Sequence, residues 1–94
     1  MDVVSDIRSM LPKIKRRFSI DRIGVFGSYR SGEQREDSDI DILVEFEEIS
    51  FDNYMGLMHF LEDRYGKKID LVTVNALNER LKPSILNEVK WCET

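Results

Sequence analysis

Two aspartates one residue apart, Asp39 and Asp41, follow a glycine–serine pair, Gly27 and Ser28, in the stretch GSYRSGEQREDSDID, residues 27–41. On an extended strand side chains alternate, so Asp39 and Asp41 leave the same face with roots about 6.5 to 7 Å apart. Bare carboxylates on one face repel and are tolerated where a cation neutralises them. Hard oxygen donors of this kind suit Mg²⁺ or Mn²⁺. Gly27 lets an anion approach the backbone closely, and Ser28 adds a hydroxyl together with amides at the end of a strand, which is chemistry for phosphate oxygens. A phosphate cradle facing two or three carboxylates is what two-metal phosphoryl or nucleotidyl transfer requires, with ions about 3.5 to 4 Å apart on the attacking and leaving oxygens. The competing reading, a polar turn before a half-exposed strand, leaves the paired strand aspartates unexplained.

The elements that must position these groups follow from hydrophobic periodicity. Val3, Val4, Ile7, Met10, Leu11, Ile14 and Phe18 recur at helical steps, predicting an amphipathic helix over residues 2–18 that Pro12 kinks or restarts. RIGVFG, residues 22–27, is a short strand ending at Gly27, and residues 28–38 form a loop. DIDILVEF, residues 39–46, alternates: Ile40, Ile42, Val44 and Phe46 face one way, and Asp39, Asp41, Leu43 and Glu45 the other. Ser50 caps a helix over 51–65 that Gly66 ends, and KIDLVTV, residues 68–74, is a third strand. If the strands are neighbours, Asp70 adds a third carboxylate to the acidic face. Leu77, Leu81, Ile85, Leu86 and Val89 predict a last helix, with Pro83 in the first turn of its second part. The order describes a small α/β sheet with helices mainly on one face, leaving the other for function.

The chain has 94 residues, enough for one small domain spanning 1–94. Its formal net charge of -4 argues against direct nucleic-acid binding through a broad basic surface. The single cysteine, Cys92, excludes an internal disulfide, and no Cys/His spacing suggests zinc. With neither a signal-peptide pattern nor an apolar run of membrane-spanning length, the expected setting is cytoplasmic, away from membranes.

GVFGSYRSGEQREDSDIDILVEF, then KKIDLVT and the ending LKPSILNEV, resembles the nucleotidyltransferase superfamily that includes DNA polymerase beta, and specifically its minimal nucleotidyltransferase members. The resemblance spans nearly the whole chain. It implies a mixed-sheet α/β fold in which Gly27 and Ser28 bind the triphosphate of ATP, Asp39 and Asp41 bind two Mg²⁺ or Mn²⁺ ions, and Asp70 is the third carboxylate. By that analogy Asp70 helps deprotonate a hydroxyl that attacks the α-phosphate and displaces pyrophosphate. Minimal members often form the antitoxin half of a pair with a HEPN-domain ribonuclease toxin, and some transfer AMP onto a tyrosine of that toxin. One departure stands out: the family commonly has a small residue and then arginine after GSY, whereas here Arg30 precedes Ser31. Either Arg30 makes the phosphate contact from a shifted position or that contact is absent.

Ninety-four residues are expected to be too few to carry an acceptor-recognition domain as well, which favours an acceptor protein that supplies part of the site. The alternatives are transfer to a small molecule, and a binding module that blocks its partner sterically. The cations of KIKRR, residues 13–17, read as the solvated side of the first helix, and His59 as a helix residue without partners at ligand spacing. Trp91 and Cys92 complete the core or face a partner. Tyr54, Met55, Met58 and Phe60 cover more than one side of their helix, a hint of homo- or hetero-association.

Overall fold

The apolar residues of the first eighteen positions form one stripe, but the backbone carrying them is broken in two. The computed structural model describes residues 2–27 and 39–93. Helix α1 (Val3–Ser9) is capped by Asp2, whose carboxylate accepts from the Ser5 amide at 3.2 Å and the Ser5 hydroxyl at 2.8 Å. Helix α2 (Leu11–Phe18) restarts after Met10 with Pro12 in its first turn, where a missing N–H breaks no helical bond. The predicted single helix over 2–18 is therefore a helix pair, and Pro12 restarts the helix.

The strands are β1 (Ile20–Phe26), β2 (Ile40–Phe46), β3 (Ile69–Thr73) and β4 (Lys90–Trp91), in the order β3-β2-β1-β4. Strands β1 and β2 are antiparallel, as are β1 and β4, whereas β2 and β3 are parallel. A parallel pair needs a long crossover, and here it contains helix α3 (Phe51–Tyr65), capped by Ser50 and ended by Gly66 in the left-handed conformation. The predicted α/β class with a mixed sheet is what the structure has.

Three boundaries differ from expectation. Strand β1 starts two residues earlier and ends at Phe26, leaving Gly27 beyond it with φ 69°. Val74 leaves the third strand for a 3-10 turn, Val74–Ala76. The last helix, α4 (Lys82–Glu88), starts later than Leu77, because Asn78 accepts the Arg80 amide on its side chain and the Leu81 and Lys82 amides on its carbonyl. Strand β4 is a further element, anchored where the Cys92 amide donates to the Ile23 carbonyl at 2.8 Å. Two residues are too few to show a period of two.

On one face of the sheet Ile23, Val25, Ile40, Ile42, Val44, Ile69 and Leu71 are buried with Ile7, Leu11, Ile14, Leu57 and Leu61 in a single core. Burying each such side chain is worth about 1.5–3 kcal/mol. Cys92 belongs to this core, while Trp91 is half-buried. The opposite face was expected to be open, yet its centre is covered. Leu43 and Val74 are buried outside the main core, and the 3-10 turn packs against β2. A Cβ on Gly24 would lie 2.8 Å from a Val89 methyl and 2.9 Å from the Trp91 ring, so the segment after α4 sits directly on β1. At the end of that face that carries the aspartates, Asp39 and Asp70 are exposed and Asp41 is half-buried.

Asp6 ties α1 to α3. Arg64 donates twice to its carboxylate, at 2.7 and 2.8 Å, and the Tyr65 hydroxyl donates at 2.6 Å. The Arg64 guanidinium and the Tyr65 hydroxyl hold the Asp6 carboxyl down at about 2. Because its folded value lies below the unfolded one, the stabilisation is present above about pH 4 and lost as pH falls toward 2. The stability advantage of the wild type over Asp6→Asn, read from urea midpoints, is therefore expected to be constant above pH 5 and to shrink steadily below pH 4.

Candidate active site

The register of β2 on β3 sets Asp41 directly opposite Asp70, and that of β1 on β2 sets Phe26 opposite Asp41. Phe26, Asp41 and Asp70 thus form one row across three strands, on the face away from the helices. Asp39 lies two positions before Asp41 on the same face, exposed at the entrance to β2. Asp70 is also exposed, whereas Asp41 is half-buried. Gly27 sits at the end of this row. Its positive φ disfavours any side chain, and a Cβ there would overlap the Asp41 carboxylate. The structure thus brings Gly27, Asp39, Asp41 and Asp70 to one place. Ser28 and Arg30 lie outside the described residues.

Burial pushes the Asp41 carboxyl up to about 6, helped by the neighbouring charge and hydrogen bond of Asp70 and by the charges of Asp39 and Glu88. Glu88 is a residue the sequence reading missed. It ends α4, far along the chain, and its Oε1 accepts the Gly27 amide at 3.2 Å. No short-range pattern marks it, because only the return of the chain onto β1 brings it there. Among the described residues no three His, Cys, Asp or Glu side chains gather closely enough to enclose a metal ion. Mg²⁺ is commonly held by one or two carboxylates, with water and substrate phosphates completing the shell. The donors fit such an ion: hard carboxylate oxygens in one row, mutually repelling, beside a glycine where a side chain has no room.

Over residues 7–92 the chain matches the model of the nucleotidyltransferase domain. It is 42% identical over 96 residues, 97% of each chain, to the protein adenylyltransferase MntA of Thermococcus cleftensis. The chain belongs to the nucleotidyltransferase domain family. A solved structure provisionally named a minimal nucleotidyltransferase is 36% identical, with a TM-score of 0.80 over 92% of this chain and 89% of that one. The crystal structure of a toxin–antitoxin with AMP-PNP is 25% identical, with a TM-score of 0.74 over 93% of this chain and 73% of that one.

The nucleotidyltransferase fold thus accounts for the mixed sheet. Other concavities do not compete as the site. One of about 680 Å³, lined by Ser9, Met10, Pro12, Lys13, Arg16 and Arg17, holds cations and no residue of the aspartate row. Another of about 480 Å³, between α2 and α3, contains His59 beside Asp63 and Arg64, again away from the row. Among the described residues no helix is long and apolar enough to cross a membrane.

The raised Asp41 value has a sign opposite to that of Asp6. With the folded value above the unfolded one, stability is fullest below about pH 4 and falls as pH rises through about 6. In buffer containing a chelator, Asp41→Asn is expected to gain on the wild type between pH 4 and 6.5 and to hold that gain at higher pH, as checked by thermal melts across the range.

Proposed function

We propose that this nucleotidyltransferase moves AMP from ATP onto a hydroxyl of a partner protein, the acceptor being a tyrosine of a HEPN-domain ribonuclease toxin that the transfer neutralises. The observation that carries the reading is the pairing of Asp41 with Asp70 across the parallel strands, beside the left-handed Gly27. The relative named protein adenylyltransferase MntA, identical at 42% of positions over nearly both whole chains, supports the reaction class. The toxin–antitoxin neighbour with AMP-PNP supports a nucleotide and a partner chain. The nucleotidyltransferase domain would span residues 1–94 and act in the cytoplasm, with its acceptor brought by the partner.

In this reading Gly27, Ser28 and Arg30 receive the triphosphate. Asp39, Asp41 and Asp70 would hold two Mg²⁺ or Mn²⁺ ions, which neutralise phosphate charge and polarise the reacting oxygens when bound. The acceptor oxygen forms a bond to the α-phosphorus as the bond to pyrophosphate breaks. Asp70 takes the hydroxyl proton, and pyrophosphate leaves with the electron pair. Asp70 is exposed, so a hydroxyl on another chain can reach it. Asp41, more buried, is suited to holding and orienting. An acceptor fixed by protein docking replaces a pocket for a free small molecule, and it saves the orientational entropy of a bimolecular encounter.

Incubation with ATP labelled at the α-phosphate, Mg²⁺ and the partner toxin tests this reading. Label is expected on the partner, falling by at least about 100-fold in Asp70→Asn, the size expected when a positioned base is lost, and by a similar factor in Asp41→Asn, which loses a carboxylate that would hold the ions. Neutralisation that persists without label in the Asp39→Asn/Asp41→Asn double variant would sink it in favour of steric blocking. Pyrophosphate release without labelled protein would point to a small acceptor.

A further inference from the structure

The Gly27 amide has an acceptor within the chain. It donates to Oε1 of Glu88 at 3.2 Å. That placement is electrostatically costly for Glu88. A carboxylate on the last residue of a helix meets the unpaired helix carbonyls, and the charge of Glu88 also opposes ionisation of Asp41. Packing does not explain it either, because Glu88 is exposed and no residue of α4 is buried. Among the described residues, the favourable contact that Glu88 makes is the one to the amide at the end of the aspartate row. A phosphate oxygen would offer that amide the same kind of acceptor, and one N–H cannot serve both with good geometry.

We propose that Glu88 is an internal competitor for the nucleotide's phosphates, holding the Gly27 amide until a polyphosphate displaces it and thereby lowering the affinity of the empty site. The inference rests on the nucleotide reading given above. Displacement removes a like charge from beside the incoming phosphates, so deleting that charge in advance tightens binding. The effect has a definite direction, because Glu88 contributes repulsion and occupancy to the unliganded state. A residue that helped to bind the nucleotide would give the opposite result.

Binding of AMP-PNP in the presence of Mg²⁺, measured by calorimetry on the full chain, tests the proposal. Glu88→Ala is expected to bind about tenfold more tightly than the wild type, roughly the size of one like charge removed at close range from a water-exposed position. Unchanged or weaker binding overturns it. Should Glu88→Ala fail to fold, Glu88→Gln keeps the shape of the side chain without its charge and is expected to tighten binding about threefold, with no tightening again overturning the proposal. A wild-type protein that binds AMP-PNP while Glu88→Ala gains nothing removes this inference alone. A wild-type protein that neither binds AMP-PNP nor labels the partner removes the nucleotide reading and this inference with it.

Discussion

Two carboxylates held side by side across a parallel strand pair are the constraint on which the rest of the molecule turns. Asp41 and Asp70 face each other in register, and neither is neutralised by an ion pair described in the structure. Burial and the neighbouring charge keep the Asp41 carboxyl well above its ordinary range, so the site is destabilising at neutral pH. The fold must supply enough apolar burial elsewhere to hold that arrangement. Such a site also favours any ligand that brings positive charge into it.

The holding structure lies on the opposite face of the same strands. Ile40, Ile42, Ile69 and Leu71 alternate with the aspartates and lie in the core against Leu57 and Leu61 of α3. A one-residue slip of either strand would expose this apolar set and bury the acids. The helix that closes the crossover therefore fixes which residues meet at the mouth of the sheet. The Tyr54 hydroxyl donates to the Leu71 carbonyl from that helix, one residue from Asp70. Asp6, Arg64 and Tyr65 lock the far end of α3 to α1. The geometry of the aspartate row and the packing of the core are two sides of one register.

Much of this was legible from residue order. Alternation in DIDILVEF marks both faces of β2, Ser50 and Gly66 bound α3, and the glycine stop of RIGVFG marks the end of β1, because each depends on chemistry within a few residues. What was left open or misjudged depends on packing, on a side chain capturing nearby backbone amides, and on distant contacts. Pro12 marks a disturbance of the first helix, but whether it kinks or restarts the helix is settled by packing. The late start of α4 comes from Asn78 capturing nearby amides. The cover over Leu43 and Gly24 is made by Val74, Val89 and Trp91, which arrive from elsewhere in the chain.

The sequence by itself determined the chemical inventory: a phosphate-compatible turn, aspartates alternating with a hydrophobic face, and a third acid in a similar strand. Local periodicity is enough for that, since side-chain direction along a strand is fixed by the backbone. Only the tertiary structure decided that Asp70 stands opposite Asp41 and not one residue away, and that Glu88 reaches the Gly27 amide. Register between strands, and the return of a last helix onto the first strand, are set by the global packing of the core. No short stretch of chain contains that information.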